Sequence, residues 1–290
     1  MEIPPDIHRR ILAFQHQEIT EHHIYRAIAR TIRDPENSRV LEQIADDERR
    51  HAEDWKRYTG EESVPDRWAV AKYSWISRIL GFTFAIKRME SGEEQAQKKY
   101  EQLRPYVREI DSWIRDEDSH EQKLLEMLDE ERLHYVGSVV LGLNDALVEL
   151  TGALAGYTLA LQNTKLIALT GLITGIAAAL SMAASEYLST RAEKNTKHPA
   201  RAAVYTGVTY ILTVALLIAP YLLFGNYFLD LAVSLLAAVL VIAAFNYYVS
   251  VVRNESFRTR FLEMAGLSLS VSGLSFLLGY LIRQFLGVDV

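Results

Sequence analysis

The sequence predicts an all-α protein in two parts, a polar four-helix bundle followed by a five-helix transmembrane domain. Three observations carry this. Charge is split unevenly: residues 1–133 hold 29 Asp+Glu and 22 Lys+Arg, whereas residues 134–290 hold 8 and 9. Five long apolar runs follow one another in the second part, each long enough to cross a hydrocarbon core of ~30 Å at 1.5 Å per residue. The first part is rich in Glu, Lys, Arg, Ala, Gln and Leu and carries few strand signals. The boundary falls near residues 132 and 133, which gives domains 1–132 and 133–290.

In the first part, helices are expected at about Pro5–Thr31, Pro35–Tyr58, Trp68–Leu103 and Pro105–His134. Prolines 5, 35 and 105 stand where helices can begin, because a first-turn residue needs no N–H partner. Gly60–Asp66 reads as a loop. Nothing separates the fourth helix from the first span, so the two are expected to run nearly continuously. Trp68–Met89 is unusually apolar for a soluble bundle: Trp68, Trp75, Ile76, Ile79, Phe82 and Ile86 alternate with Lys72, Arg78 and Lys87. Packing on the bundle or a dimer mate is the plain reading, and a helix resting on the bilayer is the other.

Spans are expected at about Val136–Leu161, Leu166–Leu188, Ala202–Phe224, Tyr227–Val252 and Phe261–Leu286. Arg191, Lys194, Lys197 and Arg201 follow span two, and Arg253, Arg258 and Arg260 follow span four. The opposite connections hold only Lys165. Positive residues favour the cytoplasmic side, so the N-terminal part is expected in the cytosol and the C-terminus outside. Gly152/Gly156, Gly171/Gly175 and Ser275/Gly279 have the spacing of close helix crossings.

Composition excludes several chemistries. There is no cysteine, so disulfides, thiolate metal sites and cysteine nucleophiles are ruled out. An acidic first part offers no basic nucleic-acid surface. Met1–Arg10 carries charges and two prolines without an apolar core, so no cleavable leader is expected. No haem or nucleotide is expected either.

Two Glu-x-x-His units stand out, Glu48-Arg-Arg-His51 and Glu117-Asp-Ser-His120. Residues i and i+3 share a helix face, so each unit can present a carboxylate and an imidazole to one metal. The other two helices offer Glu18, seven residues before Tyr25, and Glu93, seven residues before Tyr100. The result is a duplicated helix pair: Glu18 with Glu48/His51, and Glu93 with Glu117/His120. Four-helix carboxylate proteins hold two ions in this way. A solvated charged face is the alternative. Glu21, Glu90 and Glu94 rival the chosen glutamates, Glu21 lying one turn from Glu18 and Glu90 one turn from Glu93. His16, His22 and His23 are expected at the surface. Over about residues 7–131 the pattern resembles the ferritin-like superfamily, and rubrerythrin most closely. The resemblance implies a site for Fe²⁺ and/or Mn²⁺ on Glu18, Glu48, His51, Glu93, Glu117 and His120, with Glu48 and Glu117 as bridges. It also sets a limit. The family's second module holds iron on four cysteines, and this chain has none.

Carboxylates also stand inside the spans. Asp145 and Glu149 lie four residues apart in span one with Asn144 beside them, and Met182 and Glu186 lie four apart in span two. An ionised carboxylate in mid-span costs ~2.5–3.5 kcal/mol on insertion scales, so it should face a cavity or a partner. Oxygen donors with one thioether suit Fe²⁺ or Mn²⁺. Asp230 and Glu263 are expected at the interfaces near span ends. Gly-Leu-Asn-Asp145-Ala-Leu and Ser-Met182-Ala-Ala-Ser-Glu186-Tyr-Leu-Ser, set among five spans, resemble the vacuolar iron transporter family over about residues 134–290. That resemblance implies a homodimer exporting Fe²⁺ and often Mn²⁺ against protons, with Asp145, Met182 and Glu186 on the path. Eukaryotic members carry a Glu- and Met-rich metal-binding insertion between spans two and three. Here Ser189–Arg201 has one Glu and no Met, so the N-terminal domain is expected to take that role.

The expectation is a cell-membrane Fe²⁺/Mn²⁺ exporter whose ferritin-like domain collects, buffers or senses metal, with ferroxidase-type activity left open. The alternative is a membrane-anchored di-iron oxidase or peroxidase of rubrerythrin type.

Overall fold

A computed structural model describes residues 3–90, 103–127, 135–193 and 198–286. The chain divides into two compact units, Met1–Glu130 and Glu131–Val290. The described residues are helical with no strands.

In the first unit α1 spans Pro5–Ala29, α2 Pro35–Thr59, α3 Arg67–Leu80, α4 Phe82–Glu90 and α5 Ile110–Glu126. Pro35 opens α2 behind the Asp34 side chain, which accepts the N–H groups of Glu36 and Asn37 at 2.9 Å. Gly60, with φ of 70°, closes that helix. Asp66 caps α3 through Trp68 and Ala69.

Two expectations are corrected here. The third helix is not one element from Trp68 onward. Gly81, with φ 96° and ψ 154°, ends α3, and α4 starts at the next residue. Only glycine takes that conformation cheaply, and apolar periodicity on both sides conceals it. Pro105 does not begin a helix. Residues 103–109 form turns, and α5 starts at Ile110. The apolar residues of this unit fall into two layers. Ile24, Ile28, Leu41, Ile44, Ile86, Leu124 and Met127 build one. Ile7, Ile11, Phe14, Trp55, Val107, Ile110 and Trp113 build the other. On α1, α2 and α5 the residues between these layers include Glu18, Glu48, His51, Glu117 and His120.

The second unit has five helices long and apolar enough to cross a membrane: Val136–Leu161, Thr164–Ala192, Pro199–Leu223, Tyr227–Arg253 and Phe257–Phe285. Span one is interrupted. It runs as α6 (Val136–Asp145), a π-helical turn (Ala146–Leu150) and α7 (Thr151–Leu161). The remaining spans are α8 (Thr164–Ala192), α9 (Pro199–Leu223), α10 (Tyr227–Arg253) and α11 (Phe257–Leu286). Spans one and five cross tightly: a Cβ on Gly279 would lie 2.3 Å from the Gly156 carbonyl oxygen. Backbones approach this closely only where both sides lack side chains.

Candidate metal centre and membrane path

In the first unit a buried carboxylate–histidine layer lies between the two apolar layers. Glu18, Glu48, His51 and His120 are each no more than 4% exposed. Glu18, Glu48, His51 and Glu117 each offer one ligand atom, and these atoms lie within 4.8 Å of one another. His51 Nδ1 stands 3.6 Å from Glu18 Oε2, 3.6 Å from Glu48 Oε2 and 3.8 Å from Glu117 Oε1. His120 Nδ1 stands 3.1 Å from Glu48 Oε1 and 4.0 Å from Glu117 Oε2. Glu48 and Glu117 therefore each set one oxygen beside each histidine, the disposition of a carboxylate shared between two centres.

The donor set fits divalent metal. Glu48 Oε2, His51 Nδ1 and His120 Nδ1 are buried and make no hydrogen bond, although oxygens and nitrogens face one another across the layer. The far ring nitrogens are held: His51 Nε2 meets Asp116 Oδ2 at 3.3 Å, and His120 Nε2 meets Asp47 Oδ2 at 3.1 Å. An imidazole that gives its Nε2 proton to a carboxylate turns the Nδ1 lone pair inward, as a metal ligand requires. The pairing is crossed. Asp47 precedes Glu48 yet serves the histidine of the other unit, and Asp116 precedes Glu117 and serves His51. Sequence reading missed both aspartates. The signal was there: each Glu-x-x-His unit is an Asp-Glu-x-x-His unit.

Electrostatics agree. Burial, then the Glu117 and Glu18 carboxylates, push the Glu48 carboxyl well above its usual range. Burial, then Glu18, Glu21, Glu90 and Asp116, do the same to Glu117. Burial lowers His120 despite the Asp47 bond. For His51 burial also acts downward, but Glu18 and Asp116 outweigh it and raise the imidazole. Burial would raise Asp47, yet hydrogen bonds from His120 and Arg50 hold it low. Too many carboxylates face one another to be charged together without cations.

The remaining candidates divide. Glu21 and Glu90 lie within electrostatic reach of Glu117. The Tyr25 hydroxyl donates to Glu90 Oε1, and Gln17 Nε2 donates to Glu21 at 2.9 Å. Glu93 and Glu94 lie outside the described residues, as does Tyr100. His16 and His23 are exposed. His22 is not: it is 4% exposed, and its Nδ1 lies 2.6 Å from the Ala45 carbonyl oxygen, so it ties α1 to α2. An imidazole can satisfy a backbone group in a helix interface, which a surface expectation overlooks.

In the second unit Asp145 ends α6, and Glu149 lies in the π-turn. The Asp145 and Glu149 carboxyl groups meet, and Tyr210 of α9 donates to Glu149 Oε2 at 2.9 Å. Asn144 does not join them. It lines a cavity of about 470 Å³ with Val148, Asn246, Glu263 and Met264. Neighbouring helical residues point about 100° apart, which sets Asn144 on a different side of the helix from Asp145. Glu186 accepts from Ser138 Oγ at 2.5 Å, and Met182 is partly buried against the unit's apolar core. Glu263 is exposed, and Asp230 lies in the first turn of α10, at a span end as expected, but it is not exposed there. It is 0% exposed, and neither carboxylate oxygen has a hydrogen bond. Hydropathy locates Asp230 in the first turn of α10 but does not reveal which helices cover it.

The π-turn is held from span five. The Leu147 carbonyl oxygen accepts Thr151 Oγ1 at 2.5 Å and Ser268 Oγ at 2.8 Å, while Ser272 Oγ reaches Thr151 Oγ1 at 3.1 Å. Such turns free a carbonyl from the regular ladder, and hydroxyls here satisfy it.

Residues 13–128 match the rubrerythrin family model, and residues 136–199 match the VIT family model, in that order along the chain. No curated protein and no solved structure matches it. Together the two matches support metal transport by a multi-pass membrane protein that carries a ferritin-like domain.

Proposed function

We propose that the chain exports Fe²⁺ and/or Mn²⁺ from the cytosol across the cell membrane, in exchange for protons, and that the ferritin-like unit collects and buffers the metal it exports. The observation that carries this is the Asp145–Glu149 pair, two carboxylates held together within an apolar span by a π-turn and Tyr210. A tether needs no such pair, and mid-span carboxylates are costly.

Within the soluble unit Glu18, Glu48, His51, Glu117 and His120 would hold the metal, with Asp47 and Asp116 fixing the histidines. Bound ions would supply positive charge to a layer that otherwise must keep protons. Proton entry and metal departure are linked through the same groups, since a carboxylate that takes a proton loses its hold on a cation. On the path the same exchange at Asp145 and Glu149 releases metal on the far side, provided the site faces the two sides in turn. In a single protomer Glu149 is exposed although it lies in mid-span. Lipid is a poor neighbour for it, which supports a homodimer that covers this face. The basic connections after spans two and four support an N-terminus in the cytosol and a C-terminus outside.

The test is metal flux into sealed proteoliposomes, with insertion checked separately. Wild type should move Fe²⁺ or Mn²⁺ with counterflow of protons. Asp145→Asn keeps shape and loses charge, and it should move neither. Near-normal flux in Asp145→Asn would overturn the assignment and favour a membrane-anchored oxidase.

A further inference from the structure

Helix α3 carries an apolar face that stays exposed among the described residues. Trp68 is 72% exposed, Trp75 62% and Ile79 65%. With Lys72 they follow at spacings of four, three and four, which is one stripe along a helix. The opposite face is occupied: Ala69, Val70, Tyr73 and Ile76 pack on the apolar layer below, and Thr31 Oγ1 lies 3.2 Å from Ser77 Oγ. Bundle packing therefore does not account for the tryptophans. Val64, just before the helix, adds a further apolar side chain at 77% exposure.

Charge identifies the occupant. Arg67, Lys72 and Arg78 lie on α3 with no Asp or Glu between Arg67 and Leu80, in a unit that is otherwise acidic. Lys72 Nζ sits 5.4 Å from the Trp68 ring centroid, so the cation lies beside the aromatic face. A second copy is a poor match. A two-fold contact pairs the same patch with itself and would set these cations against their own counterparts. An acidic protein surface would satisfy the cations but leave the tryptophans unmatched. A lipid surface answers both. Aromatic rings favour the headgroup level, and anionic headgroups attract Lys and Arg. A helix with such a face lies in the interface with its apolar side ~5–10 Å below the headgroups.

We infer that the outward face of α3, formed by Trp68, Lys72, Trp75, Arg78 and Ile79, docks on an anionic bilayer surface. The contact is independent of whether the chain moves metal. It gives the ferritin-like unit a second hold on the membrane beyond its covalent link to the spans. Gly81 lets this happen, because ending α3 there frees its direction from that of α4.

All four tryptophans lie in the first unit, at 55, 68, 75 and 113, and none lies in the spans. Trp55 and Trp113 are buried, at 0% and 4%. Tryptophan emission of the full chain thus reports on α3 without interference from the membrane unit. The experiment reconstitutes the full chain in phosphatidylcholine–phosphatidylglycerol vesicles with bromine at either shallow or deep acyl positions. Shallow bromine should quench the share of emission due to Trp68 and Trp75, about half if all four emit equally, and deep bromine should quench less. Quenching should vanish in Trp68→Phe/Trp75→Phe. It should weaken in Lys72→Glu/Arg78→Glu, which keeps both tryptophans, and it should weaken in wild type without phosphatidylglycerol. Equal emission with and without bromine overturns the proposal. In that event red emission means a water-exposed helix, and blue emission means a protein partner on this face.

Discussion

Glu48 and Glu117 show how single residues set the behaviour of the buried layer. Unfolded, a glutamate loses its proton near ~4.3. In the folded, metal-free protein both lose theirs at higher pH, because burial and neighbouring carboxylates penalise the charge. Between those values the folded state holds more protons than the unfolded one. The stability of the metal-free protein therefore falls as pH rises from mildly acidic toward neutral. Glu48→Gln/Glu117→Gln should flatten that dependence and stabilise the metal-free protein at neutral pH, by about 1–3 kcal/mol as for relief of an unsatisfied buried group. The same variant should lose bound metal. Thermal unfolding against pH, with elemental analysis, reads both, and an unchanged pH slope would refute the account. Asp47→Asn and Asp116→Asn act through the histidine rings that these aspartates hold. Each should lower metal affinity by roughly 10–100-fold without removing it, as loss of a histidine's carboxylate partner does elsewhere. Titration calorimetry under anaerobic conditions decides this.

At the scale of elements, two features of span one carry predictions. Gly279 crosses it so closely that a Cβ would meet the Gly156 carbonyl oxygen. Gly279→Ala should cost about 1–3 kcal/mol through overpacking. Gly266→Ala in the same helix meets nothing within 4 Å and should be near neutral. Thermal denaturation in detergent compares them, and equal losses would mean that this crossing is absent. The second feature is the π-turn. Ser268→Ala/Ser272→Ala removes hydroxyl partners of Leu147 and Thr151 but touches no carboxylate. If those hydroxyls hold the turn that presents Glu149, flux should drop while insertion and metal loading of the first unit stay unchanged. Wild-type flux in this variant would leave the turn a packing detail.

At the scale of the molecule, two units with separate cores carry two separate carboxylate constellations. A lesion in one should leave the other working. Glu48→Gln/Glu117→Gln in the full chain should raise the metal concentration needed for half-maximal flux while leaving the flux at saturation. Asp145→Asn should abolish flux while leaving metal bound to the ferritin-like unit. Flux and elemental analysis on the same preparations give both readings. Loss of flux at saturating metal in the Glu48/Glu117 variant would make the first unit part of the path rather than a feeder.

The amino-acid order alone determined the helical class, the five spans and the duplicated Glu-x-x-His pattern. Each of these is a periodic or compositional property, and period and composition are written along the chain. Span limits were legible to within a few residues for the same reason, since length and apolarity set them together. What depends on which helix faces which was not legible. Asp47 and Asp116 became partners of His120 and His51 only when α2 and α5 were set face to face. His22 went inside because the Ala45 carbonyl lay opposite it, and Asp230 was covered by neighbours that hydropathy does not name. Asn144 and Asp145, adjacent in sequence, parted because the helix turns between them. The break at Gly81 and the π-turn at Ala146–Leu150 escaped a reading by period, because each departs from the period within a run that otherwise keeps it. Tertiary contact decided these points, for a side chain's surroundings come from elements far away in sequence and only the folded chain brings them together.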